Sequence, residues 1–179
     1  MVHSLHSLLV SCQQGDRTKV DSILQSGEVG VNSADEGEIS PLHVAAANGY
    51  EDVVSLLLSR GANVDQRTGS GWTALHQAAY HGHTNVAEVK VSLSHPNKLY
   101  LLFQALIKAG AELTKRNKYG ATALNMSAAG GHLSCVKLLL RSGCPAEETA
   151  PAQYRVCPSA VMTAALHGHN AVIKDQILS

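Results

Sequence analysis

Histidine is the side chain here best suited to chemistry near neutral pH, as acid, base or metal ligand, and the 179 residues carry ten of them. Two pairs, His81/His83 and His167/His169, sit in His-Gly-His phrases that could offer two imidazoles to zinc. A zinc site needs further thiolate, imidazole or carboxylate ligands, and no Cys or carboxylate accompanies these pairs at ligand spacing. The four cysteines (Cys12, Cys135, Cys144 and Cys157) form no C-x-x-C pair and read as reduced thiols. No Ser-His-Asp or Cys-His group emerges from residue order alone. Gly69-x-Gly71 and Gly130-Gly131 do not lie between a strand and a helix, as a phosphate-cradling loop requires. The expectation is a chain with no catalytic residue, no metal and no cofactor.

Composition narrows the class further. Fourteen basic and fourteen acidic residues balance, so no global field draws the chain to nucleic acid or to an anionic membrane. No run approaches the ~20 apolar residues of a membrane helix. The opening Met1–Cys12 has no basic segment, and its apolar run is broken by His3, Ser4, His6 and Ser7, unlike a secretory signal. A soluble, cytoplasmic chain is expected. Aromatic residues make up only 4% while Ala, Leu, Val and Gly are abundant, which favours closely packed helices.

The elements that would position any site come from self-similarity. Ser40-Pro-Leu-His-Val-Ala-Ala-Ala-Asn-Gly49 returns as Thr73-Ala-Leu-His-Gln-Ala-Ala-Tyr-His-Gly82, with Leu42 and Leu75 33 residues apart. Thr122-Ala-Leu-Asn-Met-Ser-Ala-Ala-Gly-Gly131 is a third copy. Each is followed by an apolar run and a glycine: Val53–Gly61, Ala105–Gly110 and Val136–Gly143, with Gly110 and Gly143 again 33 apart. Each unit reads as a short helix, a glycine turn, a second helix with its apolar stripe at i, i+3, i+4, and an extended turn. The paired alanines (Ala45/Ala46, Ala78/Ala79) let first helices approach closely, and the closing glycines suit left-handed C-caps. No unit can bury its apolar face alone, so the units must stack.

These residues resemble the ankyrin repeat, whose signature T-P-L-H-x-A recurs at that period. The match is close at Ser40–Ala45 and Thr73–Ala78 and partial at Thr122–Ser127. The resemblance implies an all-α ankyrin-repeat solenoid of stacked helix-turn-helix units with hairpin-like loops. About five units are expected in a single array: 5–34, 38–67, 71–116, 120–149 and 157–179. In the first, Leu8–Gly15 aligns with Leu42–Gly49. In the last, Ala164–His169 repeats the Ala-Ala-x-x-Gly-His phrase, Asp175 falls where Leu138 sits, and Cys144–Pro158 holds four added residues. That unit is expected to be incomplete and without a polar cap. His43 and His76 take a structural, inter-repeat role, and His83, His132 and His169 occupy a second family position. Asn125, standing where the signature has His, puts one inter-repeat bond in doubt, and Glu38, where Gly71 and Gly120 sit, predicts an irregular tip. Gly71–Leu75, Ser127–Leu133 and Ala164–His169 also resemble the ankyrin regions of ankyrin-and-SAM-domain scaffold proteins, a group that includes ciliary proteins.

The third unit is interrupted. Leu75 and Leu124 are 49 residues apart, 16 more than the period, which places an insertion at Val89–Gln104 inside the second helix. Pro96, capped by Ser94 or His95, would restart that helix through Leu101, Leu102, Ala105 and Leu106. A tolerated surface loop, a binding loop and a translated intron all account for the length. Lys90-Val-Ser92 can be encoded by a splice-donor-like sequence and Leu101–Gln104 by a pyrimidine tract. Transcripts that uniformly retain codons 89–104 would exclude the intron.

Ankyrin proteins bind other proteins through hairpin tips and first-helix ends on the concave face. Carried over, the tips are Arg67, Gly69, Ser70 and Trp72, then Arg116, Lys118, Tyr119 and Ala121, and the helix ends include Ala47/Asn48 and Tyr80/His81. A contact surface of Arg67, Trp72, Tyr80, His81, Arg116, Lys118 and Tyr119 is expected, since Trp, Tyr and Arg are the usual interface anchors. Trp72 packed on the neighbouring hairpin is the competing reading. Lys115-Arg116-Asn-Lys118, with Arg67, forms a small basic stripe, narrower than nucleic acid requires. Neither membrane nor small-molecule substrate is expected, and the function is that of a non-catalytic scaffold, or of a regulatory module for an enzyme or transcription factor.

Overall fold

A computed structural model of the chain describes residues 2–82, 98–145 and 159–177. Ten α-helices follow in order among them: α1 (Val2–Gln14), α2 (Arg17–Gln25), α3 (Pro41–Ala47), α4 (Glu51–Ser59), α5 (Ala74–His81), α6 (Lys98–Lys108), α7 (Ala123–Ala129), α8 (Leu133–Arg141), α9 (Ala160–Leu166) and α10 (Asn170–Ile177). His83, the restart at Ser94–Pro96, Cys157, most of the 144–158 loop and the side chain of Asp175 lie outside the described residues.

The helices pair as the repeat predicts, and the pairs stack into a solenoid. First helices α1, α3, α5, α7 and α9 pack in that order, each on the next, while α2, α4 and α6 form a second row. Small side chains make the first row possible, because the distance between helix axes is set by the residues at the contact. Ser11-Cys12, Ala45-Ala46, Ala78-Ala79 and Ser127-Ala128 occupy equivalent positions and are fully buried. The second row buries Val53, Val54 and Leu57 of α4 and Cys135, Val136 and Leu139 of α8. Each second helix must then end abruptly. Gly61 does so with φ 82°, while Ala62 donates to the Leu57 carbonyl and Gly61 to that of Leu58, a left-handed closure that a Cβ would strain.

Among the described residues the third unit's second helix is α6. In α6, Leu102, Phe103 and Leu106 are fully buried and stand 49 residues beyond Val53, Val54 and Leu57, filling the same places. Leu101–Gln104, counted above within the added length, lie in this helix, as the expected restart has them. Register is held because the core needs three apolar contacts in helical spacing, and residues 98–108 supply them.

The hairpin tips share one design. Thr68 donates its N–H to Trp72 O (2.9 Å) and Asn117 to Ala121 O (2.9 Å). The tip at Asp35 repeats this with Ile39 O (3.2 Å), and Glu38 N–H donates to Asp35 O (2.9 Å). The expected irregularity is absent: Glu38 adopts φ 59° and completes the turn at an L-residue cost of about 1–2 kcal/mol. Successive tips are joined, Gly69 N–H to Gly37 O at 2.9 Å and Lys118 N–H to Ser70 O at 3.0 Å.

Buried imidazoles tie each first helix to the next tip. Ser40 N–H donates to His43 Nδ1 (3.2 Å), which leaves Nε2–H to reach Gln66 O and Trp72 O, both at 3.0 Å. Thr73 N–H donates likewise to His76 Nδ1 (3.3 Å), and Nε2–H reaches Ala121 O at 3.0 Å. These are capping boxes with a second, inter-unit arm. Asn125 keeps the local box, accepting from Thr122 N–H and Oγ1–H at 2.9 Å. Burial lowers both imidazole pKa values, that of His76 to about 4.

Two outcomes follow. Phe103 is the largest fully buried side chain among the described residues, so Phe103→Ala lowers stability by about 3–5 kcal/mol in urea unfolding. The unfolded His76 imidazole takes up a proton below its ordinary 6.5, the folded one only near 4. Stability is therefore full above pH 6.5 and falls as pH drops toward 4, by about 3 kcal/mol from this residue. His76→Asn retains the local box, costs about 1–2 kcal/mol at pH 7 through the lost bond to Ala121, and flattens that decline. Unfolding midpoints at pH 7 and pH 4.5 measure both effects.

Candidate functional site

Position along the first helix decides which side chains reach the concave face. Tyr80 stands 33 residues beyond Ala47 and 49 before Ala129, so one large ring projects between two methyl groups. Trp72, at the base of the tip before α5, meets it edge-on with centroids 5.4 Å apart and planes at 79°. Tyr80 in turn lies edge-on to His81, at 5.3 Å and 85°. The geometry is the edge-to-face preference of aromatic quadrupoles. Trp72 is half-buried and Tyr80 is 46% exposed. Trp72 thus packs on its own unit's first helix through Tyr80, with His76 tilted 6.3 Å away.

The end of α5 is fixed from the following unit. His132 Nε2 bonds the Tyr80 carbonyl at 2.8 Å, and the same arm recurs from His169 Nε2 to Ala129 O at 2.9 Å. Gly82 has φ 43°, and a Cβ there would sit 2.0 Å from the His132 ring, so the glycine serves conformation and contact at once. His167 and His169 stack at 6.2 Å, with His167 Nδ1 bonded to Thr163 O at 2.8 Å. Hydrogen bonds of the scaffold thus engage both rings.

The arginines form a second group at the tips. Arg67 Nη2 donates to the Arg116 carbonyl (2.7 Å), and Arg116 Nη1 donates to Gly120 O (2.8 Å). Both guanidiniums therefore brace backbone while their charge stays on the surface. The basic stripe is narrower than the sequence suggests, because Lys115 Nζ contacts Glu112 (3.0 Å) and Asp65 (3.2 Å), whose hydrogen bonds raise its pKa. Lys118 is exposed, and Tyr119 is 70% exposed. Ring contacts link Trp72, Tyr80 and His81, and guanidinium bonds link Arg67 and Arg116. The structure gives these as two neighbouring groups, with Tyr119 and Lys118 at the rim.

A surface the sequence reading passed over lies across α1 and α3. A groove of about 370 Å³ opens between them, floored by Leu9, Val10, Val44 and Ala47 and bounded by the tip residues Asp35 and Ile39. Leu9, Val10 and Ile39 are half-exposed and do not join the buried core. The signal in the sequence was apolar residues at positions where the first helix turns toward the concave side, obscured because α1 carries the least signature-like unit.

Family comparisons agree with this architecture. The family model described as ankyrin repeats in three copies matches residues 8–98, and a second, ankyrin repeats in many copies, matches residues 93–140. Relatives include a probable E3 ubiquitin-protein ligase of Oryza sativa subsp. japonica, 40% identical over 46% of this chain and 16% of its own length. Protein phosphatase 1 regulatory subunit 27 of Mus musculus is 32% identical over 45% of this chain and 53% of its length. The E3 ubiquitin-protein ligase KEG of Arabidopsis thaliana is 35% identical over 51% of this chain and 6% of its length. The match thus spans about half of the phosphatase subunit and a small fraction of the two ligases. Signature, stacked helix pairs and family match over most of the sequence agree: the chain belongs to the ankyrin-repeat family, whose arrays are protein–protein interaction modules.

Proposed function

We propose that this chain is a non-catalytic scaffold or adaptor, a single array of five units that binds another protein through Trp72, Tyr80 and His81 flanked by Arg67, Arg116, Lys118 and Tyr119. The observation that carries the reading is the Trp72–Tyr80–His81 edge-to-face series. It presents rigid, half-exposed aromatic surface on the concave side of a scaffold pinned from the next unit. Anchors of this kind contribute most of the energy of an interface, and preorganisation lowers the ordering cost of binding. The resemblance to ankyrin-and-SAM scaffold proteins supports the same role and a cytoplasmic, cilium-associated setting. Charge neutrality and the pairing of Lys115 with two carboxylates argue against nucleic acid as partner. No helix among the described residues is long and apolar enough to cross a membrane.

A second reading is a regulatory module of a larger enzyme or transcription factor. The names of the relatives favour it: two are ubiquitin ligases aligned over a small part of their length, and one is a phosphatase regulatory subunit. Partners retained by the wild-type chain distinguish the two readings.

Tyr80→Ala and Arg116→Ala are the informative substitutions, with Trp72→Ala as the central truncation. In affinity capture with quantitative mass spectrometry, Tyr80→Ala and Trp72→Ala each reduce retention of a specific partner by about tenfold or more. Arg116→Ala has a smaller effect, and Tyr80→Ala leaves thermal unfolding near the wild-type value. If every partner is retained equally by all three variants, this surface is not the binding site.

A further inference from the structure

The groove over α1 and α3 adjoins the aromatic series at Ala47 and Gln77, but its chemistry differs. Its floor is aliphatic and its walls are polar, with His6, Gln13 and Gln77 along the edges and Asp35 at one end. Side-chain amides so placed can pair with the N–H and C=O groups of an extended backbone. The tip at its end carries three exposed acids, Asp35, Glu36 and Glu38. Asp35 Oδ1 accepts from the N–H groups of Gly37 and Ile39, both at 2.9 Å. The ion pairs among the described residues involve Asp21, Asp65 and Glu112, so the three tip carboxylates have no cationic partner there. The tips that follow carry Arg67, then Arg116 and Lys118. The joined ladder of tips therefore changes sign along its length, acidic beside the groove and basic beyond it.

We infer that the groove binds a peptide segment of a partner protein that pairs a large aliphatic or aromatic side chain with a nearby Lys or Arg. The apolar side chain enters between Val10 and Val44, and the cation, within about four residues along an extended chain, meets the acids of the Asp35–Ile39 tip. A volume of 370 Å³ is at the lower end of ligand pockets and suits one or two side chains, not a folded surface. The acidic tip supplies selection: it attracts a basic segment and repels an acidic one, as complementary charge at a rim does. A basic partner would also be turned away from Arg67, Arg116 and Lys118, which fixes its direction across the array. This inference rests on the protein-interaction reading but concerns a different surface and a defined partner chemistry.

The probe is a random-peptide display library selected on the immobilised full chain. Enriched peptides are expected to carry a large apolar residue with Lys or Arg within about four positions. Fluorescence anisotropy of a synthesised winner is expected to show at least about tenfold weaker binding to the double variant Glu36→Lys/Glu38→Lys and to Val10→Ser. Tyr80→Ala and Arg116→Ala are expected to bind it as the wild type does. The surface double variant keeps the test decisive if Val10→Ser unfolds. Enrichment of acidic or uncharged peptides, indifference to the charge reversal, or no enrichment at all would overturn the inference. Dependence on Tyr80 and Arg116 instead would support the aromatic site and reject this one.

Discussion

First helices α3, α5, α7 and α9 are only seven or eight residues long, too short to persist by themselves, and the starts of α3 and α5 must be capped where no water reaches. A neutral imidazole at the third helical position solves both problems. At His43, Nδ1 takes the N–H of the capping residue Ser40 while Nε2–H holds the Gln66 and Trp72 carbonyls. His76 repeats this toward Ala121. Each ring therefore satisfies buried backbone groups in two units at once, groups that would otherwise cost about 1–3 kcal/mol each. Helix start, tip geometry and the spacing between units all follow from this contact. It works only with the imidazole uncharged, which burial ensures.

The rest of the scaffold keeps that contact in register. Small residues at the crossing of the first helices allow close approach, and the joined tips align the carbonyls that the imidazoles need. The second family histidine works from the other end, with His132 and His169 bonding the last carbonyls of α5 and α7. An array tied this way tolerates added length wherever neither tie is touched. In the third unit, with its added length, α6 still packs on α4 and α5. Glu38 shows the strength of the constraint from another side: the turn forms around a non-glycine residue in a left-handed conformation.

Variation that the scaffold does not need is left for the surface. Tyr80 takes a position held by alanine in neighbouring units, and Trp72 covers it edge-on. Arg67 and Arg116 brace backbone and still display charge. Nearer the start, apolar residues on α1 line a groove that ends in an acidic tip. Two different surface chemistries therefore lie side by side on one face, as repeat arrays permit when each unit contacts only its neighbours.

The sequence by itself determined the period and the helix pairs, because those depend on contacts that recur from unit to unit and leave a repeating pattern, while the roles of His43 and His76 came from the resemblance of their phrases to the ankyrin signature. Residues of the proposed surface were legible for a similar reason: a Trp or Tyr where other units carry small residues stands out in an alignment of the chain with itself. Tertiary structure decided what no pattern contains. It showed which residues of the restarted helix reach the core: Leu102, Phe103 and Leu106. It split the expected patch into an aromatic series and a braced arginine pair, and it paired Lys115 with Asp65 and Glu112, 50 and 3 residues away in the chain. It also brought α1, α3 and an acidic tip around one groove. Such arrangements depend on which side chains from different units meet in space, and single-chain periodicity carries no record of that.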